Sequence, residues 1–240
     1  MRKFLALMVV AAALASSGCI FSPKPDNKIT PPTPLPPNDT PANAIERFRL
    51  AYEQKLATEY QGMFTGDFTY EFSNATDPKL VSDYSTGWFK NDEKESSAHL
   101  FAGYSPPGGV TLEPASTISI KLAVNIPTDD NTSGVDPTTH KYLATRVDGQ
   151  IVVPNPGTDA TTYVIENNFN VFYVVRGDQA VNLDTTQPAD SVHWYIYRWV
   201  DLTGTSPAPS LRTQSTARTA STSQPALLPK SWGGLKGAWR

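Results

Sequence analysis

The stretch from Thr40 to Phe72 sets the strongest limit on what this chain can fold into. Thr40 followed by Pro41 is a helix start, because the Thr hydroxyl can accept from an orphan backbone N–H and Pro has no N–H to lose at the first helical position. Ala42, Ile45, Phe48, Tyr52, Leu56, Tyr60 and Met63 then recur at steps of three and four, which predicts one apolar helix face. A break near Lys55 to Thr58 would divide a long helix from a shorter one. Phe68, Tyr70 and Phe72 alternate with Thr69 and Glu71, which predicts a strand with one aromatic face. The helix stripe needs a surface to bury it, and that strand is the nearest one.

The remaining elements follow the same logic. Lys79 to Tyr104 reads as partly helical, with Trp88, Phe89, His99, Leu100 and Phe101 around the charged Lys90, Asp92, Glu93 and Glu95. Pro106-Pro107-Gly108-Gly109 ends it. Thr117 to Ile126, His140 to Val153, Tyr163 to Val175 and Val192 to Val200 read as strands. On the third of these, Glu166, Asn168 and Asn170 share a face, so they are either outward or lining a wet pocket. On the last, His193, Tyr195, Tyr197 and Trp199 share one face and Val192, Trp194, Ile196 and Arg198 the other. Neither face is plainly solvated, which places that strand centrally or under cover on both sides.

Ala51-Tyr52, Tyr60, Met63-Phe64 and the run Asp67-Phe68-Thr69-Tyr70-Glu71-Phe72, with the order of elements after them, resemble the NTF2-like superfamily, including its SnoaL-like and ketosteroid-isomerase-like groups. The resemblance covers Thr40 to about Leu202. It implies an α+β fold, a strongly curved antiparallel sheet wrapped around a long N-terminal helix, with a conical pocket and a helix crossing its mouth near the Lys79 to Tyr104 stretch. The superfamily spans enzymes, ligand binders and assembly modules, so the fold alone does not choose a function.

The ends of the chain carry information about location. Met1-Arg2-Lys3 is a charged start, and Phe4 to Leu14 is an apolar run too short to span a bilayer. Ala15-Ser16-Ser17-Gly18-Cys19 follows. Small residues before Gly-Cys resemble the lipobox of bacterial lipoprotein precursors, although Ser16 stands where that pattern has Leu, which keeps an ordinary secretory cut open. The resemblance implies cleavage after residue 18 and acylation of Cys19, the one cysteine of the chain. Several acyl chains would hold the protein firmly at a membrane. Ile20 is not the aspartate that retains such proteins at the inner membrane of enteric bacteria, so the resemblance points to the outer membrane of a cell envelope. Residues 19–39 form a Pro-rich tether, with Pro23, Pro25, Pro31, Pro32, Pro34, Pro36 and Pro37 favouring an extended chain at about 3.1 Å per residue. Residues 203–229 are a Ser/Thr/Pro/Ala-rich linker that lacks the apolar area to offset its ordering entropy. Residues 230–240 break that pattern: Trp232, Leu235 and Trp239 suggest docking on the domain or on a partner, or else a frayed end. Lys236 and Arg240 could instead touch anionic lipid.

The sequence excludes more chemistry than it offers. The formal net charge is −3, without the clustered basic face of a nucleic-acid binder. His99, His140 and His193 have no metal-ligand spacing. Asp129, Asp130, Asn131 and Asp136 do not match a calcium loop. No phosphate loop or nucleophile elbow is present. No cofactor is implied. Glu166 or Asp190 with Tyr195, Tyr197 or His193 could run acid–base chemistry in a dry pocket, but none matches the family's motif. The candidate pocket set is therefore Trp88, Glu166, Asn168, Asn170, His193, Tyr195 and Tyr197. The expected role is non-catalytic: a membrane-anchored lipoprotein binding a small apolar ligand or an envelope protein, with a homodimer also open. The alternative is a lyase- or isomerase-like enzyme.

Overall fold

Thr40 opens the first helix, its hydroxyl accepting from the Asn43 N–H at 3.1 Å. Helix α1, Pro41–Glu53, buries Ala44, Ile45, Phe48, Leu50, Ala51 and Tyr52; of the expected stripe, Ile45, Phe48 and Tyr52 are buried, Ala42 is half-buried, and Leu56, past the end of the helix, is exposed. Lys55 then takes a left-handed backbone (φ 56°), which ends the helix, and its ammonium donates to the Ala115 carbonyl at 2.8 Å. A short helix α2, Ala57–Gln61, follows. The structure, a computed structural model, describes residues 32–109, 111–124, 126–155, 157–183, 188–204, 227–229 and 232–239. Cys19, the apolar start, most of the tether and residues 205–226 of the linker lie outside the described residues.

The chain continues through β1 (Phe64–Glu71), α3 (Pro78–Asp83), β2 (Trp88–Phe89), α4 (Lys90–Ala102), β3 (Thr117–Val124) and β4 (Thr128–Asp129). The long strands β5 (His140–Asn155) and β6 (Thr158–Arg176) form an antiparallel pair, and β7 (Trp194–Asp201), β8 (Leu227–Pro229) and helix α5 (Trp232–Ala238) complete it. The sheet runs in the order β2-β1-β7-β6-β5-β3, with β4 on β5 and β8 on β6. Strand β7 sits inside this order, which explains why both of its faces carry bulky side chains.

The sheet corrects the expected architecture. It is mixed: β1 runs parallel to β7, with Tyr70 opposite Trp199, and β8 runs parallel to β6. It is an open sheet, ending on β2 and β3, neither closed nor strongly curled, so the antiparallel NTF2-like cone around the first helix is not the fold of this chain. The physical reason is that period-two alternation assigns residues to faces but says nothing about which strand lies alongside or in which direction. The β1–β7 pairing joins segments far apart in sequence, and no local signal specifies its sense.

The core is aromatic. Phe48 of α1 lies 5.2 Å from Tyr60, 5.4 Å from Phe172 and 5.3 Å from Trp199, ring centre to ring centre. Each such side chain, fully buried, contributes about 1.5–3 kcal/mol, so α1 is held by its stripe rather than by its helix propensity.

A β-bulge in β6 matters for the site. Ile165 pairs with Gly149 and Asn168 with Val147, so Glu166 and Asn167 together oppose Asp148 alone. Asn167 adopts φ 55°, which Asn tolerates better than most residues, and its N–H donates to Asp148 at 2.8 Å. The extra residue resets which side chains face inward: Ile165 is buried before it, and Asn168, Asn170, Phe172 and Val174 after it.

Candidate functional site

The described end of the chain returns to the domain. Leu227–Pro229 adds itself to β6 opposite Thr162, Tyr163 and Val164, and α5 then lies against α4 and the inner face of the sheet. Trp232, Leu235, Lys236 and Trp239, at spacings of three, four and seven, are all buried to within 3% of full cover. Trp232 stands between Tyr52 and Trp199, at 5.2 and 5.3 Å.

Both ends of this short helix are satisfied by domain side chains. The Trp232 N–H donates to Asn168 Oδ1 at 2.9 Å. At the other end, Ser96 Oγ donates to the Lys236 carbonyl at 3.0 Å, and His99 Nδ1 meets the Trp239 carbonyl at 2.8 Å. A seven-residue helix has too few internal bonds to stand alone; here the domain supplies the missing partners.

The chemistry concentrates on Lys236. Its ammonium is paired with Glu93 Oε2 from α4 and lies 4.0 Å from the Trp199 ring centre and 4.4 Å from that of Tyr70. Glu93 is itself 1% exposed. It accepts a 2.5 Å hydrogen bond from the Tyr60 hydroxyl and a 3.0 Å bond from Trp88 Nε1. Strand β1 contributes Tyr70, β7 contributes Trp199 and β2 contributes Trp88, so the box exists because these three strands are neighbours. Burial pulls the Lys236 ammonium down to about 8, and the Glu93 charge opposes that fall, so the group stays protonated at neutral pH. Burial raises the Tyr52, Tyr60 and Tyr70 phenols well above their ordinary range, with the Glu93 charge adding to it at Tyr52 and Tyr60 and the Asp201 charge foremost at Tyr70. The Tyr60 and Tyr70 phenols act as donors, to Glu93 and Asp201.

One feature opposes tight docking. Among the described residues, the indole N–H groups of Trp232 and Trp239 are buried without a hydrogen-bond partner. Each costs about 1–3 kcal/mol of desolvation.

The residues predicted from the sequence divide into two groups. Trp88, Asn168 and Asn170 come together here: Trp88 on Glu93, Asn168 on Trp232, and Asn170 accepting from Trp199 Nε1 at 2.7 Å. The others lie elsewhere. Glu166 is exposed, turned out by the bulge. His193 pairs with Asp190 at 2.8 Å, Tyr195 donates to the Pro188 carbonyl at 3.1 Å, and Tyr197 donates to Asp130 at 2.5 Å. Lys236 is 3% exposed and so is turned away from any lipid surface. His99 contacts the docked helix and stacks on Tyr104. Glu93, Tyr60, Tyr70, Trp199 and Lys236 were not in the predicted set. The available signal was the Trp232, Leu235, Lys236, Trp239 spacing, which is that of an anchor face on a helix.

A surface depression of about 590 Å³ lies away from this cluster, lined by Lys121, Arg146, Asp148 and Glu166 around the bulge. It is open and polar, whereas the aromatic box is occupied by Lys236 of α5. Among the described residues there is no cluster of three or more His, Cys, Asp or Glu placed to hold a metal, and no helix is long and apolar enough to cross a membrane.

No family model matches the chain, and no curated protein matches it. Among solved structures, the chain is distantly similar to the Kfla4162 protein of Kribbella flavida, with 13% identity, 66% of this chain and 84% of that one covered, and a TM-score of 0.41. It is also similar to a protein of Novosphingobium aromaticivorans described as a possible-assignment aromatic ring hydroxylase, with 15% identity, 67% and 86% covered, and a TM-score of 0.37.

Proposed function

We propose that this protein is an envelope lipoprotein, anchored through acylated Cys19, whose domain is a non-catalytic binding module for a short amphipathic helix. The chain's own α5 is the occupant in the described state. The observation that carries this reading is that the domain satisfies both ends of that helix, through Asn168 at its start and Ser96 and His99 at its end, while burying its Trp-x-x-Leu-Lys-x-x-Trp face. Helix-in-groove recognition uses this spacing of anchors. A linker of more than twenty residues precedes the segment, so it is a tethered ligand whose high effective concentration keeps the groove filled until a partner helix competes.

The acid–base alternative finds a buried carboxylate beside a phenol, Glu93 with Tyr60. Lys236 occupies the remaining side of that carboxylate, and Trp232 and Leu235 take the space a substrate would need. The binding reading is therefore preferred. Its partner is an envelope protein presenting such a helix, or the C-terminal segment of a second copy.

Two measurements test the proposal. Cys19→Ala should move the protein from the membrane fraction to the soluble fraction of the envelope; unchanged membrane retention would remove the anchor. A labelled synthetic peptide spanning residues 231–240 should exchange into the full chain and be held in a saturable way. Absence of saturable binding would remove the groove.

A further inference from the structure

The groove contains a more specific site. Lys236 is the only cation among the described residues that has both a buried carboxylate partner and two aromatic faces over its ammonium. An aromatic box closed by a carboxylate is a recognition device for a cationic amine, because ring faces and carboxylate present negative potential in a medium that screens little. Tyr60 and Trp88 hold the carboxylate in place from its other lone pairs, so the box is arranged around the ammonium rather than collapsed onto it.

We propose that the box formed by Glu93, Tyr70 and Trp199 is a binding site for a primary amine on a short alkyl chain, and that Lys236 is its tethered occupant, exchanged for the amine of an incoming ligand. The proposal rests on the groove reading above for the route by which ligands arrive, but the site itself stands on its own geometry. Three features make the resident lysine exchangeable. Its segment, α5 with the short β8 before it, is joined to the domain by a linker of more than twenty residues. Two of its indole N–H groups are buried without partners among the described residues. Its charge is fully removed from water, a cost that the box offsets together with the buried Asp201 carboxylate beyond Tyr70. The same chemistry can arrive as a small alkylamine or as a lysine on a partner helix, and the experiment separates these sources.

Lys236→Ala in the full chain should empty the box while leaving Trp232, Leu235 and Trp239 to hold α5. At pH 7, tens of millimolar n-butylammonium chloride should raise the melting temperature of this variant by several degrees. Equal sodium chloride and equal n-butanol should not, and the wild-type chain, its box filled, should not respond. An equal response in wild type and variant, or none in the variant, overturns the proposal. If Lys236→Ala does not fold, the wild-type chain provides the second test: the peptide of residues 231–240 should bind at least tenfold more tightly than the same peptide carrying Lys236→Met. Equal affinities overturn the amine site and leave the groove intact. Rescue by n-butylammonium with no binding of either peptide supports the amine site and removes the groove reading.

Discussion

Replacing Lys236 with Met removes the ammonium and keeps an unbranched apolar stem of similar length. The wild-type ammonium is one half of a fully buried pair with Glu93, and removing one partner of such a pair costs about 3–5 kcal/mol. Two features reduce that figure. Glu93 keeps its bonds from Tyr60 and Trp88, each to a charged acceptor, and Met avoids the desolvation of the lysine. The Met thioether also suits the faces of Tyr70 and Trp199. The expected net loss is about 2–3 kcal/mol. Urea unfolding followed by tryptophan emission reads it, and a red shift below the main transition would mark α5 leaving first with Trp232 and Trp239. The decisive control is the cycle with Glu93→Gln. That single change leaves the ammonium against ring faces with only the more distant Asp201 carboxylate, whereas the double variant removes both charges of the pair, so the two losses should be strongly non-additive, coupled by about 2 kcal/mol. A coupling below about 0.5 kcal/mol would refute the reasoning, because it would mean that the two groups do not meet in the folded protein.

Other consequences are as direct. Gly233→Ala would place a methyl 2.8 Å from Phe72 and 3.0 Å from the Tyr70 hydroxyl, so it should weaken α5 docking by about 1–3 kcal/mol, read as faster amide hydrogen exchange across residues 232–239. Trp88→Phe keeps the ring packing and removes one donor to Glu93, costing about 1.5–3 kcal/mol in urea unfolding; a loss below 0.5 kcal/mol would mean the indole bond is not formed. The pH dependence has two opposite parts. Lys236 holds its proton less tightly when folded, so between about pH 8 and its ordinary value this group adds stability as pH rises. The buried phenols of Tyr52, Tyr60 and Tyr70 hold theirs more tightly when folded, so the stability they contribute is present below their ordinary value of 10.0 and is lost above it. Docking followed by hydrogen exchange should therefore survive from pH 7 to 10 and fail beyond; failure between pH 7 and 9 would contradict the burial of both groups.

Local chemistry determined the elements. Thr40-Pro41 and the apolar spacing from Ile45 to Met63 specify α1, its break and α2, because helix capping and a 3.6-residue stripe are properties of a few neighbouring residues. The alternation in β1, β3, β5, β6 and β7 specifies strands for the same reason. The two Trp and the Leu near the end suggest docking, but Gly233, Gly234 and Gly237 disfavour a helix locally, so the helical face is decided by the fold. Tertiary structure decided the rest. Whether β1 meets β7, and in which sense, depends on pairing between distant segments, and that pairing replaced the expected cone with an open mixed sheet. Which polar residues of β6 point inward depends on a single extra residue at Glu166 and Asn167, and that bulge separates Glu166 from Asn168 and Asn170. Glu93 and Lys236 lie on opposite sides of most of the sheet in sequence; Glu93 alone reads as a charge on a helix, and Lys236 as a tail charge open to lipid. They become a buried pair only because α5 returns to a box whose walls come from β1, β2, β7 and α4. A charge can leave water only where a partner and a polarisable surface are already in place, and that condition is met by folding, not by sequence proximity.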